Sequence, residues 1–230
     1  MPTLIELFTD PISLAFFGVF AALWLVEALF PARMLPTIRG HRLRGVASLL
    51  AFFLVSSYLP LLVAPWLAPL RLFDLSFLGA LGGGSAAYLV YQVFAYAYHR
   101  TLHRFDGLFR VVHQMHHSAE RLDVASAFLF GPLDMLGWTL VSTVALSLIG
   151  ISTSATVVFL LFGALLSTFQ HANLHTPRWL GYIVQRPESH SHHHARGVHA
   201  GNYADLPLLD LVFGTFVNPR DFSPSTGFYD

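Results

Sequence analysis

Ten of the thirteen histidines in this 230-residue chain lie in four short clusters. In each cluster the first histidine is followed by others three or four positions later, so one helix face can present their imidazoles together. The clusters comprise His99 and His103; His113, His116 and His117; His171 and His175; and His190, His193 and His194. Neutral imidazole nitrogen is a good ligand for iron, zinc, copper and nickel. We therefore predict that these ten residues bind metal.

The other three histidines do not fit this pattern. His41 lies in an arginine-rich loop far from the clusters, and we expect it to be solvated. His192 lies between two members of the last cluster, where helical geometry points its side chain away from them. His199 follows Gly197 closely, and the sequence leaves its role open.

The composition restricts both the metal chemistry and the class of protein. The chain has no cysteine, which excludes thiolate ligands, disulfides and a cysteine nucleophile. All thirteen basic residues are arginine and are balanced by thirteen acids, so no basic tract is present and a nucleic-acid partner is not expected. Only 11% of the residues are charged and 54% are apolar, whereas soluble domains are about one quarter charged. The apolar excess must face lipid.

Five apolar stretches must therefore position the histidines, and each is predicted to be a membrane helix. They cover residues of about 12–30, 46–70, 75–98, 133–149 and 154–169. The prolines at 60, 65 and 69 are predicted to break the end of the second stretch, and the glycines at 82–84 to kink the third helix or delay its start. The predicted fold is all-α: one multi-pass membrane domain of residues 1–230 with a histidine-rich helical cap from 99–123 and 171–230.

Arginine placement predicts the orientation, because basic residues are retained on the cytoplasmic side. If the cap is cytoplasmic and the N-terminus is outside, Arg71 is the one arginine on the outer side. We therefore expect an integral protein of the bacterial inner membrane with a cytoplasmic cap.

The histidine clusters, in their order and spacing, resemble those of the fatty acid hydroxylase and sterol desaturase superfamily of membrane-bound dinuclear iron oxygenases. They read HRTLH from His99, HQMHH from His113, HANLH from His171 and HSHHH from His190. The likeness extends to GNYADLPLLDLVFGTFVNP, which begins at Gly201. His192 is an additional histidine that the family pattern does not require.

This resemblance implies that the ten clustered histidines hold two iron ions, with zinc as the other metal that the ligand set suits, and that O2 is a co-substrate. It implies hydroxylation or desaturation of a membrane lipid such as a sterol, an isoprenoid or a fatty acyl chain. The electrons must come from another protein of the ferredoxin or cytochrome b5 type. Polar residues near the motifs are candidates for orienting the imidazoles. They are Gln114, Glu120, Asp123, Asn173, Glu188, Asn202 and Asp205. Asp210 is expected to anchor the cap by hydrogen bonding.

Two other classes of function use the same residues. A zinc-dependent membrane hydrolase or a non-catalytic metal-binding membrane protein would also use imidazole ligands. A catalytic zinc needs about three protein ligands, so ten favour a dinuclear site. A metal transporter would place its ligands near the middle of the bilayer, whereas these clusters lie at the ends of the apolar stretches.

Overall fold

The computed structural model describes residues 1–229, which form helices and no β-strand. The predicted all-α class is confirmed. The helices are α1 (Leu4–Thr9), α2 (Pro11–Leu29), α3 (His41–Leu67), α4 (Gly79–Arg104), α5 (Asp106–Leu108), α6 (Gln114–His117), α7 (Pro132–Ile149), α8 (Thr153–His171), α9 (Pro187–His193) and α10 (Leu208–Val212).

Five of these helices, α2, α3, α4, α7 and α8, are long and apolar enough to cross a membrane. They correspond to the five stretches predicted from the sequence. α4 packs against both α7 and α8, while α2 packs against α8 and α3 against α7. Large apolar side chains such as Leu25, Leu62 and Leu81 are exposed on the outer surface of this bundle, as expected for residues that face lipid.

The prolines of α3 do not end the helix where the sequence predicted a break. α3 continues through Pro60 and Pro65 to Leu67, and a short 3-10 turn follows at Ala68–Leu70. Membrane helices tolerate proline because neighbouring groups satisfy the carbonyl that the missing N–H leaves free.

The glycines of α4 allow close helix packing and do not delay the start of the helix. A 3-10 turn at Ser76–Leu78 leads into α4 at Gly79, before the glycine triplet. A Cβ atom at Gly83 would lie 2.9 Å from the Cβ of Ala155, and one at Gly84 would lie 2.6 Å from the Cβ of Val158. Such contacts are too short for any side chain, so these glycines let α4 approach α8 closely.

α7 and α8 form a helical hairpin. Gly150 has a φ of 48°, and the side chain of Ser152 accepts a hydrogen bond from the backbone N–H of Ala155 to cap α8. α7 and α8 contain 18 and 19 residues, which corresponds to about 27 Å each at 1.5 Å per residue. This length is close to the roughly 30 Å of a bilayer core.

Two buried polar residues tie the first two membrane helices to the segments that carry the histidines. Glu27 in α2 accepts hydrogen bonds at one oxygen, Oε2, from the backbone N–H of Val124 (2.9 Å) and of Asn173 (2.7 Å). His41, at the start of α3, is only 6% exposed and lies 2.7 Å from Asp123. The prediction that His41 is solvated is therefore wrong, because α3 begins at His41 and folds it against the cap.

The geometry at Glu27 predicts that Glu27→Gln is tolerated and Glu27→Leu is not. The glutamine oxygen can accept both backbone bonds, whereas leucine leaves two buried donors unpaired at a cost of about 1–3 kcal/mol each. We expect thermal unfolding of the purified protein to shift strongly downward only for the leucine variant. Leu25→Ala, on the exposed surface of the same helix, is the control. Equal melting temperatures for the two Glu27 variants would show that these hydrogen bonds do not hold the cap.

Candidate metal centre

The structure brings nine of the thirteen histidines together in two adjacent groups. In each group, one potential ligand atom per residue lies within 4.8 Å of all the others. The five-histidine group contains His99, His103, His113, His117 and His193, and the four-histidine group contains His116, His171, His190 and His194. The rings of His117 and His194 stack at 4.1 Å across the boundary between the groups.

These nine histidines lie in four segments of the chain. The last two turns of α4 supply His99 and His103, and the end of α8 supplies His171. A π-helical turn at Phe109–His113 leads into α6, and its wider winding lets this cluster contribute to both groups. α9 and the residue after it supply the last cluster, which is also divided between the groups.

Within each group the Nε2 atoms converge. In the four-histidine group, Nε2 of His171 lies 3.2 Å from that of His116 and 3.0 Å from that of His190. In the five-histidine group, Nε2 of His99 lies 3.2 Å from that of His103 and 3.0 Å from that of His113. Two nitrogens bound at right angles to one metal ion at about 2.1 Å are about 3 Å apart, so these spacings fit one ion in each group.

Hydrogen bonds on the outer side of the rings determine which nitrogen faces the centre. Nδ1 of His99, His103 and His193 lies 2.9, 2.8 and 2.6 Å from the backbone carbonyls of Tyr203, His199 and Gly201, respectively. A carbonyl can only accept, so each Nδ1 carries the proton and each Nε2 has a free lone pair. Nε2 of His193 and of His117 is buried without a hydrogen-bond partner, as expected of a ligand atom.

A carboxylate and a further backbone carbonyl orient two other imidazoles in the same way. Nδ1 of His113 lies 2.7 Å from Oδ2 of Asp134, and both residues are buried. Nδ1 of His171 lies 2.7 Å from the carbonyl of Ser167. Nδ1 of His190 instead lies 2.8 Å from Nε2 of Gln185, an amide nitrogen that donates, so this contact fixes the ring without placing the proton on Nδ1.

Comparison with known proteins agrees with the geometry. The model of the family described as fatty acid hydroxylase matches residues 85–215, a range that contains all nine grouped histidines. The chain belongs to the fatty acid hydroxylase family. The resemblance to the fatty acid hydroxylase and sterol desaturase superfamily is thus confirmed, and membership implies an oxidoreductase. No curated protein and no solved structure gives a significant match.

Burial favours the neutral form of five grouped imidazoles in this family member. For the grouped histidines outside the membrane helices, burial is the main cause that lowers the pKa, and the neighbouring imidazoles lower it further. These residues are His116, His117, His190, His193 and His194. A histidine whose pKa is depressed on folding favours the folded state above its unfolded pKa of about 6.5, and this stability is lost as the pH falls below that value. The neutral form is also the one that binds metal.

One predicted cluster does not form in the fatty acid hydroxylase fold. α8 ends at His171, and Ala172 has an extended conformation with ψ of 144°, so the four-residue spacing to His175 is not helical. The side chain of His175 is 66% exposed and lies 3.6 Å from Oε1 of Glu188, outside both groups. His41 and His192 also lie outside them.

His199, whose role the sequence left open, lies at the edge of the five-histidine group. Its Nδ1 is 3.0 Å from Nδ1 of His117, and its carbonyl contacts His103. His199 has a φ of 43°, a left-handed conformation that is uncommon for a residue other than glycine. This strain places its backbone carbonyl and its side chain against two different imidazoles.

The sequence did not identify Asp134 or Gln185 as partners of the histidines. The structure uses several of the seven candidates as braces within the cap instead: Asp123 binds His41 and Arg121, and Glu188 accepts hydrogen bonds from Thr176. Asp134 could have been recognised from the sequence, since an acidic residue in an apolar membrane stretch usually has a functional partner. Nothing in the sequence distinguishes Gln185 from other polar residues of the cap.

An elongated cavity of about 600 Å³ ends at the metal centre of this hydroxylase-family chain. It contacts members of both groups, including His99, His116 and His171. Its wall follows α8 from His171 back to Thr156, a length of about 22 Å at 1.5 Å per residue. Aromatic side chains form much of the remaining lining: Phe16, Phe52, Phe128, Phe130, Tyr91, Trp138 and Phe159. The cavity thus connects the histidines with the apolar interior of the bundle.

The grouping predicts opposite effects for two histidine substitutions. His193→Gln removes a buried member of the five-histidine group, so it should weaken metal binding by more than the roughly 10–100-fold expected for loss of an outer partner. His175→Gln, outside the groups, should leave the metal content unchanged. Metal per chain, measured by mass spectrometry after dialysis against a chelator, tests both. Equal loss in the two variants would show that the groups do not represent the ligand set.

Proposed function

We propose that this protein is an O2-dependent hydroxylase or desaturase of membrane lipids with one iron ion in each histidine group. The observation that carries the proposal is the apolar cavity, which contacts both groups and runs along the membrane helices. A site for a water-soluble substrate would open mainly to the polar side of the cap. This cavity instead offers a long apolar substrate a path to the histidines.

The donor set fits two ions. Five and four imidazoles exceed the roughly three protein ligands of a catalytic zinc, which argues against the zinc hydrolase. When bound, two irons supply the activation of O2 that breaks an unactivated C–H bond. Hydroxylation consumes one O2, two electrons and two protons per substrate and yields water, so an external electron donor of the ferredoxin or cytochrome b5 type is part of the proposal.

The chain's own residues hold the reacting groups and keep the site dry. Asp134 and the backbone carbonyls after His199 fix the imidazole rings. The side chain of Trp138 lines the cavity, and its ring lies 5.5 Å from that of His99. The phenylalanines of α2 and α3 and those after Ser126 enclose the apolar wall, which excludes water from a reacting hydrocarbon chain.

The shape of the cavity supports an extended lipid as substrate. Cavities of about 300–1,000 Å³ bury most of a drug-sized ligand, and this one follows α8 from His171 to Thr156. A fatty acyl chain, an isoprenoid or a sterol fits this description. Of the aromatic residues of α4, Tyr91 lines the cavity, whereas Tyr88 is engaged in a hydrogen bond to Asp205.

We further propose that the chain is a single membrane domain in the bacterial inner membrane, with the cap from 99–123 and 171–230 in the cytoplasm. Twelve of the thirteen arginines then lie on the cytoplasmic side. Cytoplasmic electron carriers could reach the cap directly in this orientation.

Two variants of α4 test the role of the cavity. Ala95 is buried and lines the cavity one turn from His99, whereas Ser85 is exposed on the outer surface of the same helix. Ala95→Leu should leave iron bound but lower lipid-dependent O2 consumption at least tenfold, because the larger side chain narrows the substrate path. Ser85→Leu should retain activity. Product formation is measured by lipid mass spectrometry on the iron-loaded, full-length protein with an artificial reductant. Zinc-loaded protein that hydrolyses a lipid without O2 would overturn the proposal.

The orientation is tested with fusions at the C-terminus. A reporter that is active only after export should be inactive there, and one that folds in the cytoplasm should be active. The reverse result would place the cap outside and exclude cytoplasmic electron carriers.

A further inference from the structure

A second groove, separate from the metal centre, lies on a different face of α4. Its volume is about 440 Å³. Val93, Ala97, Arg100 and Arg104 recur at helical spacing along one side of α4, while Leu209 and Phe213 form the other wall. His99 and His103 point from α4 into the metal centre, so the two faces of this helix serve different sites.

Exposed apolar residues place this groove at the membrane surface. α10 points its polar residue inward, since Asp210 is fully buried and accepts hydrogen bonds from the backbone N–H groups of Tyr203 and Ala204. This confirms the anchoring role predicted for Asp210. Leu208, Val212 and Phe213 are each more than half exposed, as is Val93 on α4. Exposed apolar side chains concentrated on α10 and the neighbouring part of α4 are suited to contact with lipid.

The two arginines give the groove a positive end. One guanidinium N–H of Arg100 donates to the hydroxyl of Tyr96 at 3.0 Å, and its guanidinium carbon lies 5.8 Å from the ring centre of Phe213. Arg104 is exposed one turn later. Within residues 1–229, neither arginine has a carboxylate within 4.0 Å. Arg100 interacts with the Asp210 carboxylate only at a longer distance, so both guanidinium groups remain exposed beside the groove.

We propose that this groove binds one anionic glycerophospholipid. Its phosphate would lie between Arg100 and Arg104, and an acyl chain would follow Val93 and Ala97 toward the bilayer. Arginine at a helix C-terminus also interacts with the helix dipole, but that interaction needs no apolar groove beside it. Basic pockets next to membrane helices are suited to lipid phosphates, and the acyl chain distinguishes a lipid from free phosphate. This proposal is independent of the oxidation chemistry.

Native mass spectrometry of the full-length protein, titrated with phosphatidylglycerol or phosphatidylcholine, tests the site. We expect wild type to retain one phosphatidylglycerol and to bind phosphatidylcholine more weakly. Arg100→Gln with Arg104→Gln should weaken phosphatidylglycerol binding about 30-fold, since each arginine near the surface contributes about fivefold. The matched control is Arg42→Gln with Arg44→Gln, two exposed arginines at the start of α3, which should leave binding unchanged.

A second variant tests the apolar part of the site. Ala97→Trp keeps both arginines but fills the groove, so it should also weaken phosphatidylglycerol binding, while unchanged metal content reports that the protein is folded. Equal effects of the two arginine pairs, or equal affinity of wild type for both lipids, would overturn the proposal. Displacement of the lipid by inorganic phosphate at the same concentration would identify a phosphate site and would likewise overturn it.

Discussion

The central constraint on this structure is that nine imidazoles, eight of them buried, must meet in two groups with one potential ligand nitrogen of each ring close to the others. An imidazole has two nitrogens, and only the one without a proton can bind metal. Five of the nine rings have an acceptor behind them that holds the proton on Nδ1: His99, His103, His113, His171 and His193. Several of these acceptors are carbonyl groups of irregular backbone in the cap.

The segment 199–203 shows how this is achieved. Three alternate carbonyls, those of His199, Gly201 and Tyr203, contact three imidazoles of the five-histidine group. An ordinary strand or helix would not direct them in this way, and the segment includes left-handed conformations at residues 199, 201 and 202. The side chain of Asn202 binds the carbonyls of Ser189 and Val217, and Asp210 receives the N–H groups that follow. The strained segment is thus held from both sides.

Local patterns predicted the features that depend on local structure. The apolar stretches predicted the five long apolar helices. The spacing of three or four residues between histidines picked out all nine histidines of the two groups. The predictions failed where a helix ended earlier than the spacing suggested, and where a residue contacts a segment distant in the sequence. Helical spacing suggested His175, but α8 stops at His171. His41 and Glu27 are tied to segments more than 80 residues away, and no periodicity reports a contact at such a separation. The role of Asp134 could not be predicted, because the sequence does not show that α7 packs beside His113.

The two sides of the metal centre contact different parts of the protein. On the cap side, the C-terminal segment closes over it: Phe228 stacks on His199 at 4.8 Å, and the hydroxyl of Thr226 donates to the carbonyl of Ala119. On the membrane side, the cavity continues along α8 among aromatic rings. The histidines are therefore covered on the cap side and adjoin the cavity on the membrane side. Because α4 and α8 carry histidines of the centre and also line this cavity, a shift of either helix would alter metal binding and the cavity together.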